Sequence, residues 1–264
     1  MPQLRQPRLA EMVAAKLRED ILSGRLKEGD SLPRQEDLYA EFKVSLPAVR
    51  EAMRILETEG LISVRRGNVG GAVVHEPTAD RIAYMVSMVL QTRATSLDDV
   101  SGALLHLEPV CAGMCAARPD RESTVLPALR TAVEAQQAAF EDPGRYSPLA
   151  RRFHEELVEH CGNETMIVLI GSLESIWSAH ESSVWGAVAG DGRTQEPGSP
   201  MSASTRRAAI RDHEKLIAAI EAGNVTRAVT LARTHLTATR ASTLASEDLP
   251  LVKASTVSGS RLVG

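Results

Sequence analysis

Hydrophobic and polar residues follow two different periods within the first 75 residues of the chain. Between positions 46 and 59, Val49, Met53 and Leu56 recur at helical spacing, whereas Arg50 and Arg54 lie on a separate stripe. The sequence LISVRRGNVGGAVV then alternates like a strand, passes a glycine-rich tip and returns as a second strand. Helices followed by such a hairpin predict a winged helix-turn-helix, whose second helix enters the DNA major groove.

The ends of this second helix are also marked in the sequence. Ser45 is a favoured N-cap residue, and Pro47 falls in the first turn, where a proline costs little. Gly60 follows the last apolar position and is typical of a helix C-terminus. We therefore expect a helix that begins after Ser45 and ends before Gly60.

The pattern beyond the hairpin is helical, with clear interruptions by glycine, proline and asparagine. We expect a winged helix-turn-helix domain over residues 1–75, a linker at 76–80 and a helical domain over 81–245. The polar tail 246–264 is expected to be disordered. The residues 187–204 are rich in Gly, Pro and Ser and are expected to form a mobile loop. The fold is thus mainly α, a winged helix-turn-helix followed by an all-α antiparallel bundle, with helices near 78–92, 97–118, 122–141, 146–161, 164–186, 204–222 and 224–245.

Composition narrows the class of protein. A formal net charge of −4 means that a DNA-reading surface has to be a local basic patch. Three cysteines, an odd number, argue against a disulfide framework. We find no secretion signal and no membrane-spanning apolar run, and we expect a cytoplasmic protein.

The N-terminal stretch resembles the DNA-binding domain of the GntR family of bacterial transcription regulators. The resemblance is carried by Leu32-Pro33, Val49-Arg50-Glu51-Ala52, Glu59-Gly60-Leu61 and the glycines of the hairpin tip. It implies that Arg50 contacts DNA and that Arg66 and Gly67 approach the minor groove. Two arginines of the family are replaced, by Glu36 and Leu46, and Arg34 is a substitute for the first. The expected DNA-contacting residues are Arg34, Ser45, Pro47, Arg50, Arg54, Arg66 and Gly67.

Three histidines lie on apolar stripes of three separate predicted helices, namely His154, His213 and His235. A buried imidazole is costly unless a partner satisfies it, and inward histidines from several helices build metal sites in bundles. Residues 80–242 resemble the FCD ligand-sensing domain of the FadR branch of the GntR family, through motifs such as FHEELVEHCGNETMIVLI and DHEKLIAAIEAGNVTRAV. The three histidines match its metal positions, which implies Zn, Ni or Mn. The family's aspartate, four residues before the first histidine, is Ala150 here.

The resemblance also implies an effector pocket, for which we consider Leu104, Glu108, Ala150 and His180. Glu108 matches a family glutamate, and His180 is a possible substitute metal ligand. Leu104 stands where many members have an arginine that binds a carboxylate. The effector is therefore expected to be an organic acid or related metabolite, either less charged than usual or held by the metal.

The favoured function is a ligand-responsive transcription regulator and not an enzyme. We expect a homodimer on a pseudo-palindromic double-stranded operator, and a repressor that a small metabolite releases. One alternative is a metal-free regulator whose histidines line the effector pocket. A metal-dependent hydrolase is the least supported alternative, because no nucleophile–base pattern accompanies the histidines.

Overall fold

The computed structural model describes residues 9–64, 71–190, 202–244 and 250–258. The chain divides into two compact units, Met1–Thr78 and Ala79–Gly264. Unit 1 and unit 2, as we call them below, have separate hydrophobic cores.

Unit 1 is a three-helix winged fold. Its helices are α1 (Leu9–Leu22), α2 (Gln35–Phe42) and α3 (Leu46–Glu59), and its strands are β1 (Ile62–Val64) and β2 (Ala72–Val74). The strands pair antiparallel, with Ile62 opposite Val74 and Val64 opposite Ala72. This confirms the predicted winged helix-turn-helix.

The signals that predicted α3 act as expected. The Ser45 side chain accepts a hydrogen bond from the Ala48 backbone N–H at 3.4 Å, and Pro47 lies in the first turn. Gly60 ends the helix with φ of 70°, a left-handed conformation that glycine adopts without a Cβ penalty. Val49 and Leu56 are fully buried, so the apolar stripe faces the core of unit 1 and leaves the polar stripe outside.

Unit 2 is an all-α bundle built around α5, which packs against α7, α8, α9 and especially α10. The predicted helices correspond to α4–α10, and a short further helix follows. The bounds are α4 (Ala79–Thr92), α5 (Leu97–Ala117), α6 (Arg121–Ala138), α7 (Pro143–Glu159), α8 (Glu164–Gly190), α9 (Ala203–Glu221), α10 (Val225–Leu244) and α11 (Ala254–Ser258).

The helices α5 and α10 approach each other closely at Gly113. A Cβ atom added there would lie 2.7 Å from Cγ2 of Val229 and 3.4 Å from Cγ1 of Val225. Within the described residues, α5 is also the one helix that is long and apolar enough to cross a membrane. Its most apolar stretch is half buried inside the bundle, as expected for the central helix of such a core.

The expectation of a disordered tail from 246 to 264 is wrong for residues 250–258. Val252 is fully buried, and its N–H donates to the Thr95 carbonyl at 2.9 Å. The N–H of Leu97 donates to the Pro250 carbonyl at 3.1 Å, so this segment runs beside the start of α5. Two buried residues, Val252 and Ala254, and paired backbone groups hold this segment in place. Of the expected loop 187–204, residues 187–190 continue α8, and 191–201 lie outside the described residues.

Candidate metal centre and DNA-contacting surface

The exposed side of α3 carries the predicted DNA-contacting residues. Arg50 is exposed and has no ion pair or hydrogen bond to another described residue. Arg54, one turn further, leaves 77% of its side chain exposed and makes a 3.5 Å ion pair with Glu51. Ser45 and Pro47 are exposed at the N-terminus of the same helix, where the positive end of the helix dipole favours an anion.

The other predicted contacts lie outside α3. Arg34 is exposed and immediately precedes α2. Arg66 and Gly67 belong to residues 65–70, which lie outside the described part of the chain. The described strands β1 and β2 nevertheless lead to and from this tip.

The three candidate metal histidines meet inside unit 2. His154 comes from α7, His213 from α9 and His235 from α10. The Nε2 atom of His235 lies 3.1 Å from Nε2 of His213 and 3.3 Å from Nε2 of His154. One nitrogen from each ring lies within 4.8 Å of the other two, and no other such cluster of His, Cys, Asp or Glu occurs among the described residues.

The opposite nitrogen of each ring faces an oxygen. His154 Nδ1 contacts the Glu108 carboxyl group, and His213 Nδ1 lies 2.9 Å from Oε1 of Gln136. His235 Nδ1 is 3.9 Å from the Asp212 carboxylate, too long for a hydrogen bond but close enough for electrostatic attraction. Because an oxygen acceptor favours a proton on the facing nitrogen, these contacts favour the proton on Nδ1. Nε2 then keeps a free lone pair that can bind a metal, as is usual for metal-bound histidine.

Burial keeps the histidine cluster neutral. Desolvation lowers the pKa of His154 to about 4, against a smaller opposing effect of Glu174. Burial also lowers the pKa values of His213 and His235 below the ordinary value. Neutral imidazole is the form that binds metal, so near pH 7 no proton has to leave the cluster first.

Two buried carboxyl groups lie next to the cluster. Glu108 and Glu174 are hydrogen-bonded to each other, and burial raises the pKa of Glu108 to about 7 and that of Glu174 to about 8. Arg151 donates to Glu174 at 2.6 Å and opposes that rise. A hydrogen bond between two carboxyl groups requires a proton, so near neutral pH this pair holds at least one.

A cavity of about 480 Å³, including its mouth open to solvent, adjoins the histidine cluster. His154 and Glu108 form part of its wall, together with Trp177, Arg151 and Arg240. Arg151 lies over the Trp177 ring, 5.7 Å from its centroid. Arg240 donates to Asp98 through Nε at 3.0 Å and Nη2 at 2.6 Å.

Sequence reasoning missed both arginines in this cavity. Arg151 lies three residues before His154, a spacing that places two side chains on one helix face, and this signal could have identified it. Arg240 lies five residues after His235 on α10 and gave no comparable signal. The lack of an arginine at Leu104 therefore does not leave the cavity without cationic groups.

The predicted pocket residues divide into two groups. Leu104 and Glu108 line the cavity, whereas Ala150 and His180 are not among its lining residues. His180 is buried, with Nδ1 2.8 Å from the Ile176 carbonyl and Nε2 2.9 Å from the Lys253 N–H. Its Nε2 accepts from the Lys253 N–H and so connects the 250–253 segment to α8, and His180 lies apart from the three-histidine cluster.

Comparison with known proteins supports the two-domain fold. Residues 9–73 match the sequence pattern described as bacterial regulatory proteins of the gntR family, and residues 99–238 match the FCD domain. The solved structure of Streptococcus agalactiae GntR has a TM-score of 0.67 and 22% identity, and it aligns over 88% of this chain and 99% of its own. That likeness shows the shared fold.

The curated relatives are also transcription regulators by name. The HTH-type transcriptional repressor NanR of Klebsiella aerogenes is 28% identical over 165 residues, 61% of each chain. NanR of Salmonella newport is 28% identical over 169 residues, 63% of this chain and 64% of its own. The chain thus spans less than two thirds of these relatives' length. All these names are those of transcription regulators and not of enzymes. Because the FCD match alone covers more than half of the 264 residues and follows a matching DNA-binding domain, this chain belongs to the gntR family of bacterial regulatory proteins.

Proposed function

We propose that this chain is a cytoplasmic transcription repressor whose operator binding is controlled by a small organic acid bound beside a metal ion. The observation that carries the proposal is the convergence of three Nε2 atoms beside a cavity that is lined by one of the histidines, His154, and by two arginines. The winged helix of unit 1 supplies the DNA-binding half. The relatives' description as repressors supports the direction of regulation.

DNA contact is assigned to the exposed stripe of α3. Arg50 and Arg54 reach base edges in the major groove, while Ser45 and Pro47 lie at the helix N-terminus against the phosphate backbone. Arg34 adds a phosphate contact, and Arg66 with Gly67 enters the minor groove. Arg50 is the strongest candidate for base readout because its guanidinium has no intramolecular partner within the described residues.

The histidine cluster fits a divalent metal. Two ligands at about 2.1 Å from one tetrahedral metal lie roughly 3.4 Å apart, close to the observed separations of 3.1 and 3.3 Å. With protons at Nδ1, the three Nε2 lone pairs repel one another unless a cation lies among them. A nitrogen-only set favours zinc or nickel over manganese, since Ala150 supplies no carboxylate. Such a metal would act as a Lewis acid that binds an anionic group of the effector.

Arg151 and Arg240 make an anionic effector plausible in this cavity. A guanidinium group has five donors, and the contacts of Arg240 with Asp98 use two of them. The expectation of a less charged effector, which followed from Leu104, is therefore replaced by that of a carboxylate held by arginines from α7 and α10. Leu104 and Trp177 offer apolar contact to the rest of the molecule.

Regulation requires that effector binding in unit 2 changes the affinity of unit 1 for DNA. A dimer presents two α3 helices to two half-sites about one helical turn of DNA apart. Exposed apolar side chains on α4, which are Tyr84, Met85 and Val89, support association of two copies of the chain. The effector releases the operator only if it binds the DNA-free arrangement more tightly than the DNA-bound one.

The test begins with the metal content of untagged protein purified without chelator. About one equivalent of zinc or nickel per chain supports the proposal. The protein is then used to select duplexes from a random DNA library, and organic acids are screened for release of the selected duplex. Release that persists after complete removal of the metal would instead favour the metal-free regulator. Failure to select any duplex would contradict the DNA-binding proposal itself.

A further inference from the structure

A buried chain of hydrogen bonds connects His213 to the beginning of α9. Gln136 Oε1 lies 2.9 Å from His213 Nδ1, and Gln136 Nε2 lies 2.7 Å from the Tyr146 hydroxyl oxygen. The Tyr146 hydroxyl in turn lies 2.9 Å from the backbone carbonyl oxygen of Arg206. Gln136 and Tyr146 are buried, so water does not compete for these groups.

The direction of every bond in this chain is set by its last member. A backbone carbonyl oxygen can only accept, so the single hydroxyl proton of Tyr146 points to Arg206. The hydroxyl oxygen must then accept from Gln136, which places the amide Nε2 toward Tyr146 and Oε1 toward His213. Since Oε1 is only an acceptor, His213 carries its proton on Nδ1 and presents a lone pair at Nε2.

The reversed chain is unfavourable while Tyr146 keeps its hydroxyl. If the Gln136 amide turned over, the hydroxyl would donate to the amide oxygen and leave two oxygens facing each other 2.9 Å apart at Arg206. Burial raises the pKa of Tyr146 to about 12, so the hydroxyl remains protonated under all physiological conditions. The observed direction is therefore the stable one.

We propose that Gln136 and Tyr146 are positioning residues that fix the proton of His213 on Nδ1 and so keep its Nε2 available to a metal ion. This inference rests on the proposed metal site but concerns residues that do not touch the metal. Partners of this kind orient metal-binding histidines and raise their basicity.

The proposal explains why a tyrosine and not a phenylalanine occupies position 146. Without the hydroxyl, the Gln136 amide is free to turn and to donate from Nε2 to His213 Nδ1. The His213 proton then moves to Nε2, which lies 3.1 Å from His235 Nε2 and can donate to it. The histidine cluster would then satisfy itself internally and no longer offer three lone pairs to a cation.

The first measurement is the tautomer of His213 in the metal-free, full-length protein. Ring ¹⁵N chemical shifts distinguish Nδ1–H from Nε2–H, and comparison with His213→Ala assigns the signal. We expect Nδ1–H in the wild type and a shift toward Nε2–H in Tyr146→Phe. The matched control is Tyr39→Phe, the same change at an exposed tyrosine of α2, which should leave the signal unchanged. An Nε2–H tautomer in the wild type, or no change in Tyr146→Phe, would overturn the proposal.

The second measurement is the affinity for Zn²⁺, determined by competition with a chromophoric chelator. Tyr146→Phe should bind Zn²⁺ about 10–100-fold more weakly than the wild type, the usual cost of removing a partner of a metal-binding residue. In a Gln136→Glu background, at a pH where the introduced carboxyl group is ionised, the same Tyr146→Phe change should have no effect, because a carboxylate cannot donate to Nδ1 in either orientation.

The two measurements separate this proposal from the metal site on which it rests. A double variant that binds as weakly as Tyr146→Phe would show that loss of packing, and not the tautomer, lowers affinity. If the wild type binds no Zn²⁺, the metal proposal fails, whereas the ring ¹⁵N shifts still decide whether Tyr146 and Gln136 set the tautomer. Thermal melting of each variant confirms folding, and the wild-type spectrum serves as the test should Tyr146→Phe not fold.

Discussion

The candidate functional side chains of the two units differ in how they are partnered. In unit 1, Arg50 is exposed and has no partner among the described residues, and Arg54 makes one long, exposed ion pair with another of them. In unit 2, the candidate metal-binding histidines His213 and His235 are buried, His154 is mostly buried, and each faces an oxygen at Nδ1. An arginine that binds DNA contacts phosphates and bases outside the protein. In the absence of DNA it stays hydrated, at little cost in free energy. A histidine inside a bundle has no water to hydrogen-bond, so other groups of the protein have to provide its hydrogen-bond partners.

This comparison predicts that changes in unit 1 alter binding alone, whereas changes in unit 2 alter binding and stability together. The largest expected effect is that of His213→Ala on metal affinity. Loss of one of three ligands should exceed the roughly 10–100-fold cost of losing a neighbouring partner residue. It should also destabilise the metal-free protein by about 1–3 kcal/mol, because Gln136 loses its buried donor.

Elemental analysis of the purified variant detects the loss of bound metal, and denaturant unfolding of the metal-free protein measures the loss of stability. His160→Ala is the matched control, since His160 lies outside the cluster and is only half-buried. Retention of a full equivalent of metal by His213→Ala would remove His213 from the site.

In unit 1, Arg50→Ala should weaken operator binding by about 1–3 kcal/mol if the guanidinium reads a base. Its free energy of unfolding should stay within about 0.5 kcal/mol of the wild type, as is usual for exposed positions. The measurement is a gel-shift titration at fixed salt with the selected duplex. Arg227→Ala, at an exposed arginine of α10, controls for the change of net charge. Unchanged affinity would mean that α3 reads DNA through other residues.

The segment at 250–253 provides a test of burial by two adjacent residues. Val252 is fully buried, whereas Leu251 is 49% exposed. Val252→Ala should destabilise the protein by about 1–2 kcal/mol, since it removes two methyl groups from the core. Leu251→Ala should cost less than that. Equal effects of the two substitutions in urea unfolding would show that the segment contributes little to unit 2.

The smallest predicted effect is a dependence of stability on pH above 7.5 in the metal-free protein. In the folded state the pKa values of Glu108 and Glu174 are about 7 and 8, whereas unfolded glutamate has a value near 4.5. Between pH 7.5 and 8.5 the folded state therefore holds more protons than the unfolded state, and stability falls as pH rises. We expect a loss on the order of 1 kcal/mol over this range.

Glu174→Gln should reduce this loss because an amide does not ionise. Glu221→Gln, the same change at an exposed glutamate, should leave it unaltered. A loss of equal size in wild type and Glu174→Gln would mean that the carboxyl pair is already ionised at pH 7.5.

Sequence alone predicted the fold class because the helical and strand periods are regular. It also indicated the three histidines as inward-facing, since each shares a stripe with apolar residues. It could not provide their partners, because Gln136 and Glu108 meet His213 and His154 only after distant helices pack. Val252 escaped prediction for a related reason. The stretch around it is too short to show a helical or strand period, and its burial depends on how distant helices pack.

The close approach at Gly113 limits how far the metal site can be altered at a distance. Val229 and His235 belong to the same helix and are six residues, or about 9 Å, apart along its axis. An alanine at position 113 would have to move Val229 by several tenths of an ångström from the 2.7 Å separation to reach ordinary contact. Metal–ligand distances tolerate deviations of only about 0.2 Å. A missing methyl group at position 113, nearly two helical turns from His235, would thus help to set the distances in the proposed coordination site.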